Sequence, residues 1–155
     1  MTIIVNGTGI AGMSAALAAA NAGHRVTLCG HLASLPPAGG IQLAPNGWQA
    51  LDQLGLLDVA IKRATQLDYI IVRDLNNGAT LTRLDLANRY ASIGRADLLD
   101  LLQVAVSKHS AITHHHAVVS HAVPYKDSVD LVLDDGQNMM AAALIAADGV
   151  AGLGR

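Results

Sequence analysis

The 155-residue sequence contains no phenylalanine and no glutamate, and all 12 of its acidic residues are aspartates. It has a single cysteine, Cys29, and aromatic residues make up only 3% of it. One thiol excludes an intrachain disulfide framework and a cysteine-rich zinc site, and it suits a reducing compartment. Charge is also scarce, with 10 Lys+Arg against 12 Asp+Glu and a net charge of −2. Nucleic acids and anionic membranes recruit clustered excess Lys and Arg, so neither is an expected partner. No apolar run reaches the ~20 residues that a membrane-spanning helix needs; the alanine-rich segment 9–20 falls well short. The opening MTIIVNGTG lacks the basic start of a secretory signal. The expectation is therefore a soluble, cytoplasmic protein. What the chain does have is apolar residues, at 52% against 14% charged, which excludes disorder and provides for a buried core.

Periodicity predicts an α/β order. Residues 2–5 are a β-branched run that reads as a buried strand, and Gly7, Gly9 and Gly12 follow it. Residues 13–23 read as an Ala/Leu helix closed by Gly23, and residues 24–29 resume strand character. Strand, glycine turn, helix and strand make a parallel βαβ unit. Residues 32–40, with Pro36, Pro37, Gly39 and Gly40, read as a loop. A helix is predicted over 45–55, with Trp48, Leu51 and Leu54 on one face, and a short one over 57–64. Residues 67–75 and 79–86 flank Asn76-Asn77-Gly78, a strong hairpin signal. A helix over 95–109 carries Leu98, Leu101, Leu102 and Ala105 at helical spacing. One strand is predicted over 112–123, and a hairpin pairs 129–133 with 139–146 around Asp134-Asp135-Gly136. No repeat or linker divides the chain, so a single domain over 1–155 is expected.

The first chemical signal is Gly7-Thr8-Gly9-Ile10-Ala11-Gly12, a G-x-G-x-x-G between strand and helix. In that setting the first glycine permits the tight turn, the second leaves room for a pyrophosphate, and the third lets helix and strand approach. Free N–H groups at the helix start then face the phosphate charge. The usual companion is an acid at the end of the second strand, holding the adenosine ribose. Here that end reads Leu28-Cys29-Gly30-His31, with Gly30 in the acid's place and no carboxylate before Asp52. His31 offers one ribose hydrogen bond or is simply a solvated loop residue. If the missing clamp is all that matters, Gly30→Glu is expected to tighten binding.

Together these pieces resemble the single-component FAD-dependent aromatic hydroxylases, the group of salicylate and hydroxybenzoate hydroxylases. Four landmarks carry the likeness in order: IIVNGTGIAGMSAALAAANAGHRVTL, GGIQLAPNGWQALDQLGLLD, IGRADLLDLLQVAV, and LVLDDGQNMMAAALIAADGVAGLGR with Asp148-Gly149 at its centre. The resemblance implies a Rossmann-like FAD-binding βαβ unit with a parallel sheet and added β-hairpins, truncated before the family's substrate-covering sheet and second, GD motif. It implies that Gly7, Gly9, Ile10, Ala11 and Gly12 cradle the FAD pyrophosphate and that Arg95 approaches the phosphates or ribityl chain. Val118 would touch the adenine through its backbone, and Asp148 and Gly149 would organise the flavin pocket. The family's serine three residues after that glycine is here Gly152. The implied activity is hydroxylation of a small aromatic substrate with NAD(P)H and O₂, incomplete in this chain alone. The other reading is a non-catalytic relative that no longer holds FAD tightly. A face left bare by the absent sheet implies self-association or a chain supplying the missing half.

Other constellations are weaker. On a strand, His114 and His116 share one face and His115 the other, so with His121 they make no convincing metal set. Cys29 reads as packing rather than nucleophile, and Trp48, Met139 and Met140 as core. No catalytic residue is assigned: no Ser-His-Asp triad assembles, and no Walker-type lysine follows the glycines.

Overall fold

The computed structural model describes residues 2–32, 38–86, 90–150 and 152–153. They fall into two compact units, one formed by residues 1–36 and 99–155 and the other by residues 37–98. In chain order the first unit opens with β1 (Thr2–Asn6), α1 (Ile10–Asn21) and β2 (Arg25–Cys29). The second unit follows with β3 (Gly40–Leu43), α2 (Pro45–Gln53), α3 (Leu57–Ile61), β4 (Ala64–Gln66), β5 (Tyr69–Arg73), β6 (Thr80–Asp85) and β7 (Ala91–Gly94). Helix α4 (Arg95–Lys108) carries the chain back to the first unit. That unit closes with β8 (Ile112–His115), β9 (Val119–Pro124), β10 (Val129–Leu133), β11 (Asn138–Ala141) and β12 (Ala143–Ala146).

The first unit is built on a four-stranded parallel sheet in the order β12-β1-β2-β8. Parallel strands need crossovers, and the Ala-rich α1 supplies one, packing on the sheet through Gly12, Met13, Ala16, Leu17 and Ala20. Alternation turns Ile4, Asn6 and Cys29 to the other face. There Ile4 and Cys29 join Ala117, Val119, Val129, Leu131, Leu133 and Ala141, the inner residues of the antiparallel sheet β11-β10-β9, in one core cluster. The expected α/β class and its added hairpin are thus both present.

Two predicted strands prove to be four. The 112–123 run breaks at residues 116–118, so β8 ends in the parallel sheet and β9 begins in the antiparallel one. The 139–146 run breaks at Ala142, whose N–H donates to Thr2 O at 3.0 Å, and β12 then leaves the hairpin to pair with β1. In both places the chain changes partner sheets without a glycine or proline to mark it.

In the second unit β3, β7 and β4 form an antiparallel sheet, with α2 packed on β3 and α3 on β4. None of these three short strands was predicted, and Ala64, expected in the short helix, instead opens β4. Strands β5 and β6 pair as the expected hairpin. Trp48 and Leu51 are buried as predicted, whereas Met140 is exposed and only Met139 packs on the core. Within the predicted loop, residues 33–37 lie outside the described residues, as does Arg155 at the end of the fourth landmark. Among the described residues, no helix is long and apolar enough to cross a membrane.

Candidate nucleotide-binding site

Strands β12, β1, β2 and β8 all run the same way, so their carboxyl ends meet at one edge of the sheet, the edge at which open α/β sheets bind ligands. The glycine turn lies there. Gly7 adopts φ +118°, its N–H donates to Cys29 O at 2.8 Å, and a Cβ on it would run into the carbonyl of Ala147. A Cβ on Gly12 would meet Gly7 O, so these two glycines are dictated by packing. Gly9 is different. It is exposed, its Cβ direction has nothing within 4 Å, and its backbone is extended at φ −78° and ψ −176°.

Gly9 is also the N-cap of α1, and no side chain caps that helix. The first intrahelical bond is donated by Met13 to Gly9 O at 3.0 Å, and the first turn contains no acid. The N–H groups of Ile10, Ala11 and Gly12 therefore precede the helical ladder, at the positive end of the helix dipole. The residues present fit a phosphate-bearing cofactor: an open backbone cradle and uncapped donors, with no competing carboxylate in the first turn.

A polar lattice ties Asp148, Gly149, His31 and Val118 to this edge. Asn6, 1% exposed, is the buried polar residue of the described core, and sequence reasoning missed it. Its Oδ1 accepts from Val119 N at 3.0 Å and its Nδ2 donates to Asp148 Oδ2 at 3.0 Å. Asp148 Oδ2 also accepts the Leu153 N–H at 2.7 Å. A Cβ on Gly152 would collide with the Asp148 carboxylate, so glycine, rather than the family's serine, leaves space for that carboxylate. Ala147 N donates to Asn6 O at 2.8 Å, which fixes the segment leading into Asp148 and Gly149. The signal available in the sequence was an amide at the last position of a buried strand.

At the tip of β2, Gly30 has φ +144°, and a Cβ there would stand 2.9 Å from Thr8 Cγ2. This corrects the expected Gly30→Glu gain, because the backbone disfavours any side chain and Thr8 already fills the space. Thr8 Oγ1 donates to His31 O at 2.7 Å, and His31 Nε2 lies 3.6 Å from Asp134 Oδ2. Val118 sits in the crossing between β8 and β9. Its N–H donates to Asp134 Oδ1 at 2.9 Å, and its carbonyl accepts from Asp134 N at 2.9 Å, so Asp134 engages both backbone groups assigned to the adenine. Arg95 opens α4 in the second unit, where its N–H donates to Gly39 O at 2.9 Å.

The histidines act in the same lattice. His114 and His116 do share a face, with ring centroids 4.1 Å apart. His114 Nε2 lies 2.8 Å from Gly30 O, and His115 Nε2 lies 3.2 Å from Asp135 Oδ2. Cys29 is fully buried; burial, with some help from Asp135, pushes its thiol up to about 11, which leaves it protonated and inert at neutral pH.

Residues 2–152 match the family described as Glucose inhibited division protein A. Over 158 residues the chain is 35% identical to 3-hydroxybenzoate 6-hydroxylase 1 of Aquipseudomonas alcaligenes, a match covering 96% of this chain and 40% of that protein. It is 36% identical over 161 residues to 3-amino-4-hydroxybenzoate 2-monooxygenase PtnB3 of Streptomyces platensis, covering 96% and 39%. Among solved structures, Klebsiella pneumoniae HpxO complexed with FAD and uric acid superposes with a TM-score of 0.81 at 27% identity, over 96% of this chain and 39% of that one. The chain thus spans about 40% of the length of the curated relatives it matches. These relatives bear out the resemblance drawn from the four landmarks.

Proposed function

Because the chain belongs to the Glucose inhibited division protein A family, and its relatives include hydroxylases of hydroxybenzoates, we propose that it is the FAD-binding portion of a flavin-dependent aromatic monooxygenase. One observation carries this reading: α1 presents an uncapped N-terminus through the open space at Gly9, at the carboxyl edge of a parallel sheet. The N–H groups of Ile10, Ala11 and Gly12 would take the pyrophosphate oxygens, and Gly7 and Gly12 would hold the turn in shape for them. Asp148, fixed by Asn6 and Leu153, would order the segment through Gly149 beside the flavin. The resemblance alone assigns Arg95 to the same cofactor. Bound FAD supplies the redox chemistry, while the chain binds and orients it.

The names of the longer relatives support hydroxylation of a small aromatic ring as the larger activity, and the resemblance alone adds NAD(P)H as reductant and O₂ as oxygen source. The relatives are longer, and no residue described here is assigned to the substrate. The exposed apolar side chains of the β5–β6 hairpin, Val72, Leu81 and Leu84, favour self-association of this chain at high concentration.

Titration of the purified chain with FAD tests the proposal. Quenching of flavin fluorescence, with a shifted flavin absorption band, is expected. A folded chain that leaves flavin fluorescence untouched overturns it and leaves the alternative, a non-catalytic relative that has lost tight FAD binding.

A further inference from the structure

Dinucleotide sites of this architecture hold the adenosine ribose with a carboxylate at the tip of the second strand. Here that tip cannot carry one, since Gly30 is held at φ +144° against Thr8. The fold nevertheless brings carboxylates to the same edge from far along the chain. Asp148 is already engaged by Asn6 and Leu153. Asp135 is turned to His115 and accepts the Gln137 N–H at 2.9 Å. Asp134 is placed differently. One of its oxygens accepts the Val118 N–H, and the other stands 3.6 Å from the ring of His31, the residue directly after Gly30. Its side chain is 45% exposed and that of His31 63%, so the pair is open to a ligand.

Resting on the FAD-binding reading, we infer that Asp134 supplies, from the turn between β10 and β11, the carboxylate that holds the adenosine ribose, with His31 as its positioning partner. The ribose hydroxyls are donors, and a carboxylate oxygen accepts from them more strongly than a neutral imidazole does. The Asp134 carboxylate is ionised for this role: the Val118 N–H foremost holds it below the usual carboxylate range, partial burial opposes this, and His31 adds to it. His31 is itself steadied, because Thr8 Oγ1 donates to its carbonyl. The carboxylate has thus moved in sequence from β2 to a hairpin more than a hundred residues later, while staying at the same strand tip in space.

The experiment titrates the full chain with FAD and with the 2′-deoxyadenosine analogue of FAD, following flavin fluorescence. The wild type is expected to prefer FAD by about tenfold, the scale of one charge-assisted hydrogen bond. Asp134→Asn keeps an acceptor for Val118 but is expected to lose most of that preference, while Asp135→Asn keeps it. His31→Ala leaves the Val118 bond to Asp134 intact, so it is expected to narrow the preference without unfolding the turn. Circular dichroism melts confirm that each variant is folded. A wild type that binds both flavins alike overturns the inference. So does an Asp134→Asn variant with its preference intact, or a loss that follows Asp135 instead. A wild type that binds neither flavin overturns the FAD-binding reading itself.

Discussion

The β1–α1 turn and the β5–β6 turn each use a glycine with positive φ, and they are built in opposite ways. In the β1–α1 turn, Gly7 at φ +118° is locked between Cys29 O and the Ala147 carbonyl, and Gly12 presses on Gly7 from the next turn. In the β5–β6 turn, Gly78 at φ +72° has nothing within 4 Å of its Cβ direction. That hairpin is held by local side-chain chemistry: Asp74 Oδ1 accepts from Asn76 N, Asn77 Oδ1 accepts from Ala79 N, and Arg83 both pairs with Asp85 and stacks over Tyr69. Every residue of β6 is exposed, whereas Ile4, Val5 and Asn6 of β1 are buried. The first turn is shaped by tertiary packing and the second by its own sequence. A binding turn has to stay in shape when its ligand leaves, and only the first kind is supported from outside.

Substitutions sharpen this contrast, beginning with the largest effect. Gly7→Val adds a branched side chain at a positive φ and drives it into the Ala147 carbonyl, and is expected to cost about 3 kcal/mol or more. A thermal melt reads it; retention of the wild-type melting temperature would show that the turn is not packed as described. Asn6→Ala strands the buried Val119 N–H and releases Asp148, for an expected loss of about 2–3 kcal/mol by denaturant titration. Gly30→Glu is expected to destabilise by about 1–2 kcal/mol, through its positive φ and its contact with Thr8, and to weaken FAD binding. Tighter binding by that variant would restore the expectation drawn from the motif alone. Gly78→Ala meets only the backbone cost, partly offset by a stiffer unfolded chain, and should cost about 1 kcal/mol or less. An equal loss at Gly7 and Gly78 would break the comparison.

The same contrast explains how much the sequence disclosed. The β1–α1–β2 unit was legible because its punctuation is local: a β-branched run, three spaced glycines, an alanine helix and Gly23. The β5–β6 and β10–β11 hairpins were legible for the same reason, each announced by Asn-Gly or Asp-Gly. The breaks at 116–118 and at Ala142 were not, because neither contains a glycine or proline and only pairing with different sheets ends the strand. β3, β4 and β7 are three or four residues long, too short for a period to register. In the site, glycines read correctly as a turn, but Gly30 read as a simple deletion of an acid. Its φ and its contact with Thr8, the approach of Asp134 to His31, and the role of Asn6 all join residues more than twenty positions apart, and nothing local marks them.

In the proposed site, the space at Gly9 and the free N–H groups behind it hold a pyrophosphate. Gly9→Asp tests it most directly, since the extended backbone at Gly9 accepts any residue and its Cβ direction is empty. Aspartate is a favourable N-cap beside the positive end of α1, so the variant should melt no lower than the wild type and gain about 0.5 kcal/mol. Its carboxylate would occupy the phosphate's place and repel it, so flavin fluorescence titration should show FAD affinity reduced by about a hundredfold or more. A folded Gly9→Asp chain that binds FAD as tightly as the wild type would contradict the account.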